Sequence, residues 1–375
     1  MSDMYMWIDV AAVLLLSVVC AGVLIPRILL ISFRKRLFDR PDERKIHQCI
    51  VPRLGGIAFV PVIMISVMLV TGVSLLLGDD RLARQMGTEA TELSFACCSL
   101  IVLYLVGIAD DLIGVRYRAK FVMQILCGLF TVVSGLWVCS LYGVFGLEGL
   151  PAWAGWPLTV FLVVFVINAI NLIDGIDGLA SGLSAVALMF YGVVLFSQGE
   201  YVYALLSFAT LGTIVPFFYY NVFGNPQRGR KIFMGDTGSL TIGFILCFLS
   251  VQIVRTVAGG DAGAGCNRLI VAFAPLFIPC FDVVRVVIHR LRAGRNPFTP
   301  DKSHIHHKLL AAGMTQRQAM VTIIASATAF TACNMWLSCH TDVNILLAAD
   351  IALYTFVNIW LTRRIKARVS LSTEV

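Results

Sequence analysis

Charge is what this 375-residue chain has least of. Only 14% of its residues are Asp, Glu, Lys or Arg, against 58% hydrophobic, and its mean hydropathy is +0.85. A water-soluble domain carries about 25% charged residues, so the composition excludes one and indicates a polytopic membrane protein. The eleven cysteines contain no CxxC pair and lie mostly in apolar runs. They read as small core hydrophobes and not as a disulfide framework or metal site. No small-residue cleavage site interrupts the N-terminal apolar run, which is read as a first span and not a signal peptide. There is no HExxH zinc pattern, and no half-to-half repeat of the kind that marks many transporters.

What is present is a series of apolar runs long enough to cross a bilayer, for which about 17–25 residues suffice. Eleven are read, at 6–31, 55–77, 93–109, 119–140, 157–172, 179–197, 201–220, 239–257, 268–289, 318–338 and 344–362. The fold expected is all-α, one polytopic membrane domain over 1–375 with about eleven transmembrane helices. Alternating the loops puts twenty-five of the 29 Lys and Arg on one side and leaves Arg81, Arg84, Arg255 and Arg268 on the other. Basic loops face the cytoplasm. The N-terminus is therefore expected outside and the C-terminus inside. The net charge of +7 is a topology signal suited to anionic lipid, and no nucleic-acid partner is inferred from it.

Against this background the acidic residues are unevenly placed. Asp110 and Asp111 end the third span, Asp174 and Asp177 end the fifth, and Asp236 precedes the eighth, all at the basic edge. Carboxylates at a membrane edge are costly and usually functional. Asp79, Asp80, Glu89, Glu92, Glu148, Glu200, Asp261 and Asp342 fall in the opposite loops and read as solvated surface.

Asp236 stands between Gly235 and Gly238, after Arg228, Arg230 and Lys231, where an apolar segment begins. Backbone N–H groups at such a helix start suit phosphate, and the carboxylate can hold Mg²⁺, which prefers oxygen ligands. A plain Gly-rich turn is the alternative. The adjacent Asp110 and Asp111 suit a base or a metal site, or one of them caps a following segment. Asn171, Asp174 and Asp177 recur every three residues, which on a helix end places them along one face. The alternative is a helix end unwinding at Gly175 and Gly178. A fourth island, Asn296 to Lys308, starts with prolines, and a helix is expected from about Asp301 or Ser303. His304 and His307 would then share a face, with His306 pointing away. Among Arg290, Arg292, Arg295, Lys302 and Lys308, these histidines suit an anion better than zinc. The first basic loop adds Arg44, Lys45, His47 and Arg53 between turn-forming prolines and glycines.

Taken together, GIADDLIG at 107–114, NLIDGIDGLA at 171–180, FMGDTGSL at 233–240, SHIHHKLL at 303–310 and PRLGG at 52–56 resemble the polyprenyl-phosphate N-acetylhexosamine-1-phosphate transferase family. The resemblance runs in unbroken order from about residue 40 to 315. It implies transfer of a sugar-1-phosphate from a UDP-sugar to a polyprenyl phosphate lipid, with release of UMP. The cofactor implied is Mg²⁺, with Mn²⁺ as a substitute. By similarity Asp236 matches the metal ligand. Asp110 matches a base or phosphate-activating residue, and Asp111 its partner. Asn171, Asp174 and Asp177 match positions around the nucleotide and metal, Asn221 and Phe233 the uracil side. His304, His306 and His307 match the motif near the diphosphate. The site would be built from loops 34–53, 107–120, 168–180, 221–240 and 290–317, on the cytoplasmic face of a bacterial inner membrane, in a chain that could act as a homodimer.

Two departures bear on the sugar. QCIVPRLGG stands where the peptidoglycan translocase of this family has a Lys-rich stretch, and HIHH stands in place of three consecutive histidines. Both favour N-acetylglucosamine over a muramoyl-pentapeptide donor, and the product would start O-antigen, teichoic acid or a similar surface glycan. The phospho-muramoyl-pentapeptide transferase is the alternative enzyme. An ion-coupled transporter would need acids midway across the membrane, and a non-catalytic lipid-binding protein would need none of the islands together.

Overall fold

The computed structural model describes residues 2–35, 37, 51–256, 267–296 and 303–373. Arg44, Lys45 and His47 of the first basic loop, and the segment 297–302 with Asp301 and Lys302, lie outside the described residues.

The apolar runs become helices: α1 (Ser2–Lys35), α2 (Phe59–Leu76), α3 (Asp80–Thr88), α4 (Ala90–Ile113), α5 (Tyr117–Val133), α6 (Ala152–Ile173), α7 (Leu179–Ser197), α8 (Tyr201–Val222), α9 (Gly235–Thr256), α10 (Arg268–Phe273), α11 (Phe277–Arg292), α12 (Ile305–Ala311), α13 (Gln316–Leu337) and α14 (Val343–Thr373). A small antiparallel hairpin, β1 (Ser140–Val144) and β2 (Leu147–Gly149), interrupts them. In a bilayer every backbone group must be paired internally, which leaves helices as the spanning element for runs of this length.

Among the described residues ten helical stretches are long and apolar enough to cross a membrane. The remaining expected span, 119–140, is the short one. Helix α5 has 17 residues, about 25 Å of helix, and stops where Gly135 takes a positive φ of 98°. It still runs from the end of the molecule that carries Asp110 to the end that carries the hairpin. The spans expected at 93–109 and 157–172 are longer than anticipated, at 24 and 22 residues. Asp110 and Asp111 therefore sit inside the last turn of α4 and not beyond it. The ninth span is broken between α10 and α11 by a 3-10 turn over Ala274–Leu276, where Pro275 has no N–H to continue the ladder.

Helix α9 is the hub. Its most apolar stretch is wholly covered by protein, and it packs against α4, α6, α7 and α10. A helix apolar all round belongs in the middle of a bundle, and this one carries Asp236 at its first turn. On α14 the residues Asp350, Tyr354, Asn358 and Thr362 fall four apart on one face. That face meets Asn334 on α13, Asp282 on α11 and Lys308 on α12. These polar contacts hold α14 against the bundle where lipid gives no hydrophobic drive for helix association.

Among the described residues the cysteine reading holds only in part. Cys127 and Cys247 are free, fully buried core residues, Cys98 and Cys333 are free but exposed, and Cys339 is disulfide-bonded. It lies just past the end of α13, in a turn and not in an apolar run. Burial there does not decide its chemistry.

Candidate active site

The PRLGG segment lies along the FMGD segment in register. Phe233 donates its N–H to the Pro52 carbonyl at 2.9 Å, Gly55 donates to Phe233 at 3.0 Å and Gly56 donates to Met234 at 2.9 Å. The two motifs were neighbours in no sequence sense; backbone pairing makes them one element. Gly235 follows at φ +72°, and a Cβ there would stand 2.1 Å from the Arg53 carbonyl oxygen. Only glycine fits, both for conformation and for space. Gly107 plays the corresponding part on α4, since a Cβ would lie 2.4 Å from the Thr237 Cα.

That close crossing brings the α4 carboxylates onto the start of α9. Asp111 accepts from the Asp236 N–H at 2.8 Å, the Thr237 N–H at 3.0 Å and the Thr237 hydroxyl at 2.6 Å. It is the cap of α9, supplied from another helix. The capping alternative raised by the Asp-Asp pair thus applies to Asp111, although the helix capped is 125 residues away and not the next one. Asp110 takes the Val115 N–H at 2.7 Å and has its other oxygen 3.3 Å from the Lys120 ammonium. The same ammonium is 2.7 Å from Asp236. Asn171, in the last turn of α6, donates to Asp236 at 3.2 Å and to Ser239 at 2.8 Å.

Asp110, Asp111 and Asp236 each offer a carboxylate oxygen within 4.8 Å of the others, a group that could hold a metal ion. Hard oxygen donors suit a divalent cation such as Mg²⁺. Both Asp111 oxygens are taken by the α9 cap, which leaves Asp110 and Asp236 as the pair best able to hold one. Lys120 shows that they converge on positive charge. Along the sequence Lys120 is only one of the charges at the basic edge. The signal available was a single lysine at the start of an apolar run, one turn after Arg116.

The 171–180 motif divides. Helix α6 ends at Ile173 and Asp174 is its C-cap, so Asn171, Asp174 and Asp177 do not share one helical face. Unwinding at the glycines, the alternative reading, is the local structure. Asn171 and Asp177 each meet a partner in it. Asp177 is ion-paired at 2.5 Å with Lys231, a buried lysine 5.9 Å from the centre of the Phe233 ring. Asp174 is open to solvent at its surface yet ringed by protein. Burial raises its carboxyl to about 7, helped by Asp177 and Asp236 and opposed by Arg53. Asn221 is buried, and its amide is spent on the backbone: Gly178 donates to it at 2.6 Å and it donates to Ile232 at 2.8 Å. It braces the turn against the 232–235 segment.

The histidine island reaches the same place by a different arrangement from the one expected. Helix α12 begins at Ile305, with His304 as its N-cap, two residues later than a start at Ser303 would allow. His304 therefore stands outside the helical repeat that carries His306 and His307. His306 does not point away: its ring lies parallel to His304 at 5.8 Å and tilted to His307 at 4.2 Å. It is buried, neither ring nitrogen has a hydrogen-bond partner among the described residues, and it abuts Gly175, where a Cβ would stand 2.2 Å from Nε2. Burial and the neighbouring His307 and His304 push it down to about 3, so it is neutral. His304 meets Asp282 at 2.8 Å. Of the cations named beside the motif, Lys308 turns instead to Asn358 and Thr362 on α14 at 3.3 and 3.2 Å, and burial lowers it to about 8. Asp282, Arg285 and Tyr354, missed in the sequence, are inside or beside apolar runs with no motif to flag them.

The arrangement can hold a cation between carboxylates and set it beside a turn that carries Asp174 and a file of imidazoles. The profile of glycosyl transferase family 4 matches residues 93–254. The chain is 34% identical to the undecaprenyl-phosphate alpha-N-acetylglucosaminyl 1-phosphate transferase of Yersinia pestis over 79% of this chain and 76% of that protein. Identity to the enzyme of that name from Escherichia coli K12 is 33%, over 78% and 74%. It is 31% to the probable undecaprenyl-phosphate N-acetylglucosaminyl 1-phosphate transferase of Bacillus subtilis, over 88% and 87%. Identity sustained over that much of each chain leaves one conclusion: the protein belongs to glycosyl transferase family 4.

Proposed function

We propose that the protein transfers N-acetylglucosamine-1-phosphate from UDP-N-acetylglucosamine to undecaprenyl phosphate, releasing UMP and starting a surface glycan. The observation that carries the reading is the Lys120 ammonium held between Asp110 and Asp236, with Asn171 alongside. The names borne by the relatives supply the substrates. In such a transfer a lipid phosphate oxygen attacks the sugar-bearing phosphorus, and the bond from that phosphorus to UMP breaks. One phosphoanhydride replaces another, both reactants are anions, and water must be kept out.

Charge neutralisation is the main task for such a site. Mg²⁺, which Asp110 and Asp236 would hold, supplies Lewis acidity and screens the phosphates when bound. Lys120 supplies a fixed positive charge for the acceptor phosphate. A phosphate monoester has its second pKa near about 6, so at neutral pH the acceptor is largely dianionic, and Asp110 serves to orient it. Asp111 keeps α9 and Asp236 in place. Asp174, Asp177 and Lys231 border the nucleotide, with Phe233 on the uracil side. The histidine file faces the diphosphate.

Three features support a cytoplasmic site. The Lys and Arg excess lies at this end. The nucleotide sugar is made in the cytoplasm. The Cys339 disulfide lies past the far end of α13, and disulfides persist in oxidising compartments. The hydrocarbon of the acceptor stays in the bilayer. A groove of about 650 Å³ between α5 and α6, lined by Ile125, Leu129, Val133, Trp156 and Phe161, is almost wholly apolar and lies on the helices that carry Lys120 and Asn171.

Purified enzyme offered undecaprenyl phosphate with labelled UDP-N-acetylglucosamine or UDP-muramoyl-pentapeptide is expected to use the first and not the second. The opposite preference would assign the chain to peptidoglycan synthesis.

A further inference from the structure

Asp282 is a fully buried carboxylate in the middle of α11, outside every motif. Its Oδ1 accepts from the Ile305 N–H at 3.0 Å, from Arg285 at 2.8 Å and from the Tyr354 hydroxyl at 3.3 Å. Its Oδ2 is 2.8 Å from Nδ1 of His304. Arg285 also donates to the Ser303 carbonyl. Every neighbour of this carboxylate is a donor, so the ionised form fits, and an ionised carboxylate only accepts. The proton between it and His304 therefore sits on Nδ1. The opposite nitrogen, Nε2, turns away from Asp282, on a ring stacked against His306, which in turn abuts Gly175 in the turn after α6.

We infer that Asp282 is a positioning residue for the transfer reaction: it fixes the proton of His304 on Nδ1 and stabilises the doubly protonated ring, so that Nε2 presents a charged N–H to the anionic substrate. The inference rests on the reading of the histidine file as the diphosphate-facing wall. The role of Asp282 is to select between two states of one imidazole. A carboxylate beside a histidine favours its cation, and the hydrogen bond at one nitrogen decides what the other can do. Other charged or titratable groups around the pair are Arg285 on α11, Tyr354 on α14, and His306, His307 and Lys308 on α12. Among the described residues Asp282 is the carboxylate hydrogen-bonded to the His304 ring.

The hydrogen bonds dictate what Asp282→Asn would do. Three donors meet Oδ1, so the amide oxygen takes that place and the amide NH2 faces His304. Nδ1 must then accept. The ring proton moves to Nε2, and a second proton on Nδ1 would oppose an N–H, so the ring is held neutral. The variant keeps a donor at Nε2 and loses its charge.

Transfer is measured in the full-length enzyme in detergent. Asp282→Asn is expected to lower kcat/KM by about tenfold to a hundredfold, less than the roughly 10²–10³ that loss of a whole donor to developing charge costs, because Nε2 still donates. In a His304→Ala background the same change should leave kcat/KM unaltered. A deficit that persists undiminished in the His304→Ala background would show a merely structural cap and overturn the inference. Should Asp282→Asn fail to fold, ¹⁵N-histidine NMR of the wild type decides, with His304→Ala to assign the signal. Nδ1 protonated in the neutral ring is expected, and Nε2 protonated refutes the proposal. The NMR result does not depend on the donor sugar. A wild type inactive on UDP-N-acetylglucosamine would count against the proposed function and leave this test intact.

Discussion

Replacing Lys120 by Met should make the protein bind a divalent cation more tightly while destroying its activity. Lys120 reaches Asp236 at 2.7 Å and Asp110 at 3.3 Å, and all three side chains are less than a quarter exposed. Without the ammonium, two carboxylates within 4.8 Å face one another with no cation between them. At an effective dielectric of about 20, two unit charges at that separation repel by about 3.5 kcal/mol. Three outcomes can relieve this: one acid takes up a proton, the helices separate, or a metal enters. In wild type an entering metal meets a cation already in place. Mn²⁺ titrated into Lys120→Met and followed by electron paramagnetic resonance should show an apparent Kd at least about tenfold lower than in wild type, since each 1.4 kcal/mol is tenfold. In EDTA the variant should melt below wild type and recover with Mn²⁺. Asp236→Asn serves as the control and should lose the Mn²⁺ signal. A folded Lys120→Met protein with unchanged or weaker Mn²⁺ affinity would refute the assignment of Asp110 and Asp236 as the metal pair.

Two further expectations follow from the geometry. The Asp174 carboxyl, raised to about 7 from 3.8, should give kcat/KM an acid limb, because that ratio reports the free enzyme. Activity falls as pH drops below about 7, and Asp174→Asn removes the limb; a limb unchanged in the variant contradicts the role. The stability consequence has the opposite sense: a carboxyl raised on folding contributes stability below its unfolded value that is lost as pH climbs to about 7. For topology, a cysteine at Thr373, with the native cysteines controlled, should resist impermeant thiol reagents in intact cells, whereas one at the exposed His340 should react. Prompt labelling at Thr373 would invert the molecule.

The length and order of the apolar runs, and the bunching of acids at one edge, were legible along the chain because their causes are local. A bilayer of fixed thickness demands about 20 apolar residues from each segment on its own, and a carboxylate at the edge of such a run is costly whatever lies next to it. Asp110, Asp174 and Asp236 stand out for that reason without any knowledge of packing. What those acids touch is a different kind of fact. Lys120 reaches Asp236 across 116 residues, Asp111 caps a helix 125 residues on, and Asp282 meets His304 only because α11, α12 and α14 pack together. The first two partners are set by the close approaches at Gly107 and Gly235, where backbones come within side-chain distance. The arrangement of the histidines turned on where α12 starts: His304 is its cap and not a helical residue, which lets the His306 ring lie beside it. Apolar run length fixes how many times a chain crosses; only the packing of those crossings decides which buried charge is neutralised by which.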